Sequence, residues 1–344
     1  MSQFFWSRSR RPKTSASLRL AQPHLPRLSS LRALRFSLVA VVLASAVASA
    51  DTYDFRINQL GNPIARIDGP GGVIDSPSYN AMANANFRAF TRRLAAAMSS
   101  VDLMPPETLG HSAFAITAEL SVISMQNANG DLASAKTEFP TVGQLQGALL
   151  MPSIHVRKGL PFSFELGARA SWLEKSRMGA GTVELKWALN EGWKYVPDIG
   201  VRAYVTKLLN TRNFDVTTGG LDVGVGKQFA IAGMVTLTPY LGYNLGFTGA
   251  TSSSVDFLPS RSLADSDQIQ VPAEGKNFSV FDEVLAKDNT HNRFYAGLRF
   301  IGGYFTMGAE FSYTLLGSFT DQVTGNKVNI GSVLAFNATI GLDY

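Results

Sequence analysis

The residues of this chain whose types could do chemistry are few and scattered. Gly224-Val225-Gly226-Lys227 has the glycines and lysine of a loop that cradles phosphate, where a following Ser or Thr would hold magnesium. Gln228 stands where that hydroxyl belongs, and the stretch reads as a strand, so the phosphate reading fails. No Gly-x-Ser-x-Gly elbow presents a nucleophilic serine. His111, His155 and His291 fall in three different strand regions without a recognisable signature. Asp265-Ser266-Asp267 offers oxygen ligands for Ca²⁺. It sits in 251–290, which holds seven acids against three bases, and the simpler reading is a solvated acidic loop. The chain has no cysteine, which excludes disulfides, thiolate zinc sites, a cysteine nucleophile and an acylated lipoprotein anchor. The expectation is a non-enzyme with no metal and no cofactor.

A second set of charged residues is more orderly. In Leu160–Trp172, Phe162, Phe164, Leu166, Ala168, Ala170 and Trp172 alternate with Ser163, Glu165, Gly167, Arg169 and Ser171. Successive strand side chains point to opposite faces, so one face is apolar and the other carries charge. The same alternation places Glu119, Arg157, Glu165, Arg169, Glu184, Lys186, Asp198, Arg202, Asp222, Arg299, Glu310 and Asp343 on the polar face. Mixed signs in similar numbers point to paired charges bracing a narrow interior, with a polar translocation path as the alternative. Gly167, Gly200, Gly242, Gly246, Gly297 and Gly308 share that face and leave space to be filled.

The elements that must position these residues are strands. Ten are expected near 111–125, 147–158, 160–173, 180–190, 196–208, 214–229, 234–250, 291–301, 303–317 and 331–344. Most have about ten or more residues, the length of a tilted strand that crosses a bilayer. Connections alternate between long loops (126–146, 251–290, 318–330) and tight turns such as Lys158-Gly159-Leu160-Pro161 and Gly302-Gly303. Phe162, Tyr195, Phe229, Phe300, Phe305 and Tyr344 fall at the short-turn ends. Trp172, Phe214, Phe247, Phe294 and Tyr313 fall near the long-loop ends, like two interfacial girdles. The fold class is all-β: a transmembrane antiparallel up-and-down barrel of about ten strands. The count rises to twelve if alternating Tyr53, Phe55 and Ile57 form a strand and part of 251–290 another.

The last residues, Asn337-Ala338-Thr339-Ile340-Gly341-Leu342-Asp343-Tyr344, have a polar start at Asn337, an apolar Leu342 and a final aromatic, Tyr344. This resembles the terminal strand of bacterial outer-membrane β-barrel proteins, with Thr339 where glycine is usual. The resemblance covers 111–344 at the level of architecture. It implies residence in the outer membrane of a Gram-negative bacterium, contact with its lipid, and recognition by the barrel assembly machinery. It names no substrate. The omptin proteases, also ten-stranded barrels, use an Asp-x-His pair, and Asp288-Asn289-Thr290-His291 has the wrong spacing for one.

Ahead of the barrel come two further segments. Residues 1–50 carry seven arginines, Lys13 and no acid, then the apolar run Phe36–Leu43 and small residues at Ala48 and Ala50. This pattern predicts a cleaved secretory signal with Asp51 as the new N-terminus, an organelle transit peptide being the alternative. Of 31 Lys and Arg in the chain, eight lie there, so the remainder has 23 bases against 26 acids, a net of −3, and its charge gives no ground for nucleic-acid binding. Residues 51–110 are irregular apart from one helical patch, Ala83, Phe87, Phe90, Leu94 and Ala97, with Arg88, Arg92 and Arg93 on the other side. The readings are a helix packed on the rest, a plug, or a helix on the membrane interface. The function expected first is a narrow or gated passage for an unidentified small solute. A non-conducting structural or surface-interaction barrel working through 251–290 comes second, and a barrel hydrolase third.

Overall fold

The computed structural model describes residues 53–61, 66–69, 72–75, 77–99, 101–124, 140–141, 147–193, 195–231, 235–253, 255–256, 269–270, 280–320, 325 and 327–344. The expected signal segment with Ala48 and Ala50, and Asp265-Ser266-Asp267, lie outside them.

Ten long strands carry the fold: β1 (Phe114–Ser124), β2 (Ala148–Leu160), β3 (Phe164–Trp172), β4 (Gly179–Asn190), β5 (Asp198–Leu209), β6 (Phe214–Gly226), β7 (Val235–Ser252), β8 (Thr290–Gly302), β9 (Phe305–Thr320) and β10 (Lys327–Asp343). Each pairs antiparallel with the next in sequence, and β10 pairs with β1, so the sheet closes on itself. Closure leaves no unpaired strand edge, the condition under which a sheet can sit in lipid. The strands agree with those expected from the alternation. The twelve-strand alternative fails. Tyr53, Phe55 and Ile57 are buried, but Ile57–Leu60 is a 3-10 turn and Phe55 makes one isolated bridge to Thr141. Among the described residues Val255–Asp256 pairs only with Ile269–Gln270, apart from the ring.

Alternation in sequence becomes alternation in burial along every strand from β1 to β9, for example buried-exposed through most of β5. Outward positions are apolar: Leu221 is 55 % exposed at the centre of β6, and Val183, Val205, Leu241, Leu298 and Phe311 are also exposed. Inward positions carry most of the charges, while Lys158 and the pair Lys207–Asp215 stand outward near the strand ends. Aromatics ring the outside at both ends, from Phe162 and Tyr195 at the turns to Trp172, Phe294 and Tyr313 near the loops. Phe214 is an exception to the girdle expected above. It is buried, because it lies eight residues before Asp222 and so shares the inward face of β6.

Among the described residues before β1 lies one α-helix, α1 (Pro77–Met98). Phe87, Phe90, Leu94 and Met98 recur at helical spacing and are fully buried. Phe87 stacks on Phe281, with centroids 4.7 Å apart. Phe90 meets Phe55 and Phe214 edge-on at 5.3 and 5.5 Å. These partners lie at the long-loop end, so α1 is packed among the loops and strand ends there. That excludes a helix lying on the membrane interface.

Candidate functional site

The interior of the barrel is occupied by the chain itself. α1 ends at Met98. Its late carbonyl at Ala96 accepts from Arg293 Nη2 on β8 at 2.7 Å, a cation at the negative end of the helix dipole. Proline at 105 and 106 then keeps the chain out of helix. Residues 101–110 form an irregular strap whose contacts step down the bore. Val101 O accepts from Arg169 Nη1 at 2.8 Å and Arg202 Nη1 at 3.2 Å. Leu103 N–H donates to Glu310 at 3.1 Å, and Lys186 Nζ donates to Pro105 O. Pro106 lies against Gly200, Gly224 and Gly226. Thr108 N–H and hydroxyl both reach Glu191 at 3.0 Å, and Leu109 N–H reaches Glu165 at 2.9 Å. Gly110 O touches the backbone of Gly159, where no Cβ could fit, and the chain turns back into β1. The strap therefore runs from the loop end to the turn end.

Around the strap, most of the charges read from the sequence are drawn together. Arg202 is the hub: its Nη1 is 2.7 Å from Glu184, its Nη2 2.8 Å from Asp222, and its Nε 3.7 Å from Asp102. Arg169 Nε is 2.7 Å from Glu119. His155 links the two halves, Nδ1 being 3.0 Å from Glu119 and Nε2 2.8 Å from Glu184. Nearer the turns, Arg157 lies 3.3 Å from Glu165 and 3.6 Å from Asp343. Lys186 and Arg299 face the strap, pairing with Asp102 at 3.9 Å and with Glu107. Glu310 accepts from Tyr240 Oη at 3.2 Å as well as from Leu103. Asp198 stands apart from this network. It accepts from Gly192 N–H at 2.9 Å and so fastens the β4–β5 turn.

The inward glycines are filled from two sources. A Cβ on Gly242, Gly246 or Gly297 would overlap the rings of Tyr295, His291 and Tyr240 respectively, while one on Gly200 would overlap Pro106. Tyrosine and histidine rings on neighbouring strands thus fill much of the space that these glycines leave. Burial in lipid-free surroundings is complete enough that Arg92 and Arg93 of α1 are also enclosed. They point at main-chain carbonyls of Leu316, Asp288 and Ile330, and at Asn289, rather than at solvent. Desolvation by burial pushes both down to about 10, which keeps them charged at neutral pH.

Sequence reasoning missed Asp102 and Glu107, because the strap has no period to reveal its inward positions. It also missed Arg293 and the linking role of His155, although both occupy inward positions of their strands. His111 lies exposed at the turn end beside Ser112, His155 is in the network, and His291 is buried over Gly246, so the three histidines stand at different places in the barrel. Among the described residues no cluster of His, Cys, Asp and Glu is arranged to hold a metal ion. In β10, Asn337 is buried inward, and Leu342 and Tyr344 are exposed, with Tyr344 stacked on Tyr304 at 5.8 Å.

An apolar outer band, aromatics at both of its edges, a polar interior and a closed ring of even strand number together define a barrel made for lipid. The described residues form a closed, ten-stranded transmembrane β-barrel. No family model and no curated protein matches its sequence. Among solved structures it is similar to Ail, the attachment invasion locus protein of Yersinia pestis, at 12 % identity, 68 % of this chain, 99 % of that one and a TM-score of 0.27. It is similar to Neisserial surface protein A at 10 % identity, covering 68 % and 98 % with a TM-score of 0.27. It is also similar to the outer membrane protease OmpT from Escherichia coli at 7 % identity, covering 68 % and 96 % with a TM-score of 0.29. Likenesses this distant transfer no function to the barrel described above.

Proposed function

We propose that the barrel is a gated passage for small solutes across the outer membrane, held shut in this conformation by its own strap. The observation that carries the reading is the course of residues 101–110 through the bore. The strap's hold on the wall is largely polar, with side chains donating to its carbonyls and carboxylates receiving its N–H groups. Water or a polar solute can replace such bonds at modest net cost, since an exchanged hydrogen bond to a charged group is worth only about 1.5–3 kcal/mol. α1, by contrast, is anchored by aromatic packing, so the strap can shift while the helix stays. In this reading the loops face the cell exterior and the turns the periplasm, lipid covers the outer band, and the assembly machinery reads the terminal strand. No catalytic step is part of it.

The test uses a covalent lock in a chain that has no cysteine of its own. A Cβ built at Gly224 stands 3.9 Å from Cβ of Pro106, within the range of about 3.5–4.5 Å for a disulfide. Refolded, full-length Pro106→Cys/Gly224→Cys protein in planar bilayers should lose its openings when oxidised and regain them on reduction. Identical records in both states defeat the reading. The packing of Phe87, Phe90 and Leu94 favours the second reading, a permanently closed barrel that acts through its loops. That reading expects silence in every state.

A further inference from the structure

The strap does more than fill space. It brings two carboxylates, Asp102 and Glu107, and the carbonyls of Val101 and Pro105 to a group of enclosed bases. Those bases are Arg169 and Arg202 at mid-height and Lys186 and Arg299 beside them, all at most 5 % exposed. Three come from the neighbouring strands β3, β4 and β5 and the fourth from β8, so they face the strap from two sides of the bore. Their wall partners are unequal. Arg169 and Arg202 have Glu119, Glu184 and Asp222. For Lys186 and Arg299, among the described residues, the carboxylates within ion-pair distance belong to the strap: Asp102 and Glu107. A charge taken out of water without a partner costs several kcal/mol, so a bore without the strap would favour an anion in its place.

We infer that the strap is an internal stand-in for an anionic solute, and that Lys186, Arg202 and Arg299 form the site which a small carboxylate or phosphate occupies when the strap shifts aside. The inference rests on the passage reading above and gives that passage its substrate class. Asp102 holds Lys186 and Arg202, and Glu107 holds Arg299. A solute with two anionic groups, or one phosphate, can satisfy the same donors. Solute and strap then compete for one set of bases.

The experiment measures ion selectivity of the full-length protein in planar bilayers under a potassium chloride gradient. Asp102→Asn/Glu107→Gln removes both strap charges while keeping their shapes. It should raise the open probability, shift the reversal potential to the anion side, and show block by inorganic phosphate. Adding Lys186→Gln and Arg299→Gln should abolish both the preference and the phosphate block while the pore still conducts. Heat-modifiable mobility on gels checks that each barrel is folded, and the single variants Asp102→Asn and Glu107→Gln carry the same readout if the double variant does not assemble. A conducting barrel that is unselective, cation-selective, or anion-selective without Lys186 and Arg299 overturns this inference alone. A folded barrel silent in all these variants, and silent also as the reduced Pro106→Cys/Gly224→Cys protein, overturns the passage reading and the inference with it. Silence here beside openings of that reduced protein overturns only the inference.

Discussion

Gly200→Ala should open the barrel. Gly200 faces the bore from β5, and a Cβ built there would stand 2.6 Å from the carbonyl oxygen of Pro106 and 3.1 Å from its Cα and Cβ. Its three nearest neighbours are thus all atoms of the strap, two of them main-chain, so no side-chain rotation relieves the overlap. Forcing one methyl group into a packed site costs about 1–3 kcal/mol. Because the clash exists only while the strap is seated, that cost falls on the closed state. The open-to-closed ratio should rise by about 5- to 150-fold, the ratio equivalent to that range. The neighbouring contact from Lys186 to Pro105 O should loosen as well. Single-channel recording of refolded protein reads the open probability directly. Gly181→Ala is the control: its Cβ would meet Leu209 at 3.7 Å, an ordinary contact. If Gly200→Ala unfolds at lower denaturant than the parent yet opens no more often, the strain has been absorbed by the wall and the strap is no gate.

Two further outcomes concern the barrel itself. Arg202→Ala leaves Glu184 and Asp222 buried without their shared guanidinium and should destabilise the protein by about 3–5 kcal/mol in urea titrations of the refolded barrel; a change below about 1 kcal/mol would show that the network is not a brace. Leu221→Arg, on the outer face at the middle of β6, should cost about 2–4 kcal/mol in lipid vesicles if that face meets the bilayer core, and a neutral effect would remove the lipid-facing assignment.

The wall of the barrel was legible in the sequence because a strand's period of two is enforced at every residue by the contrast between lipid and interior. Glu165, Arg169, Glu184 and Arg202 could be assigned to one face without knowing their partners. Phe214 was assigned to the wrong face although its parity with Asp222 already placed it inside. Its aromatic character at a strand end suggested a girdle, and parity is the stronger signal. The contents of the barrel were much less legible. Asp102 and Glu107 sit in an irregular segment, where neighbouring residues have no fixed relation to a face and only tertiary contacts decide direction. The enclosure of the α1 arginines was not legible for a related reason: a charged helix face ordinarily meets water, and here it meets carbonyls of Leu316 and Ile330.

The path of the strap also constrains the order of assembly. Tyr53 binds Lys175 O at the loop end, while Tyr344 lies at the turn end, bonded to Phe114. An even number of strands would by itself leave both ends of the sheet on one side, so it is the passage through the bore that carries the first described residues to the other. Once β1 and β10 have joined, moving those residues across would mean drawing a 22-residue helix and its aromatic cluster through an opening already crowded by side chains. Joining β1 to β10 last, around a filling already laid down beside β1, avoids that passage.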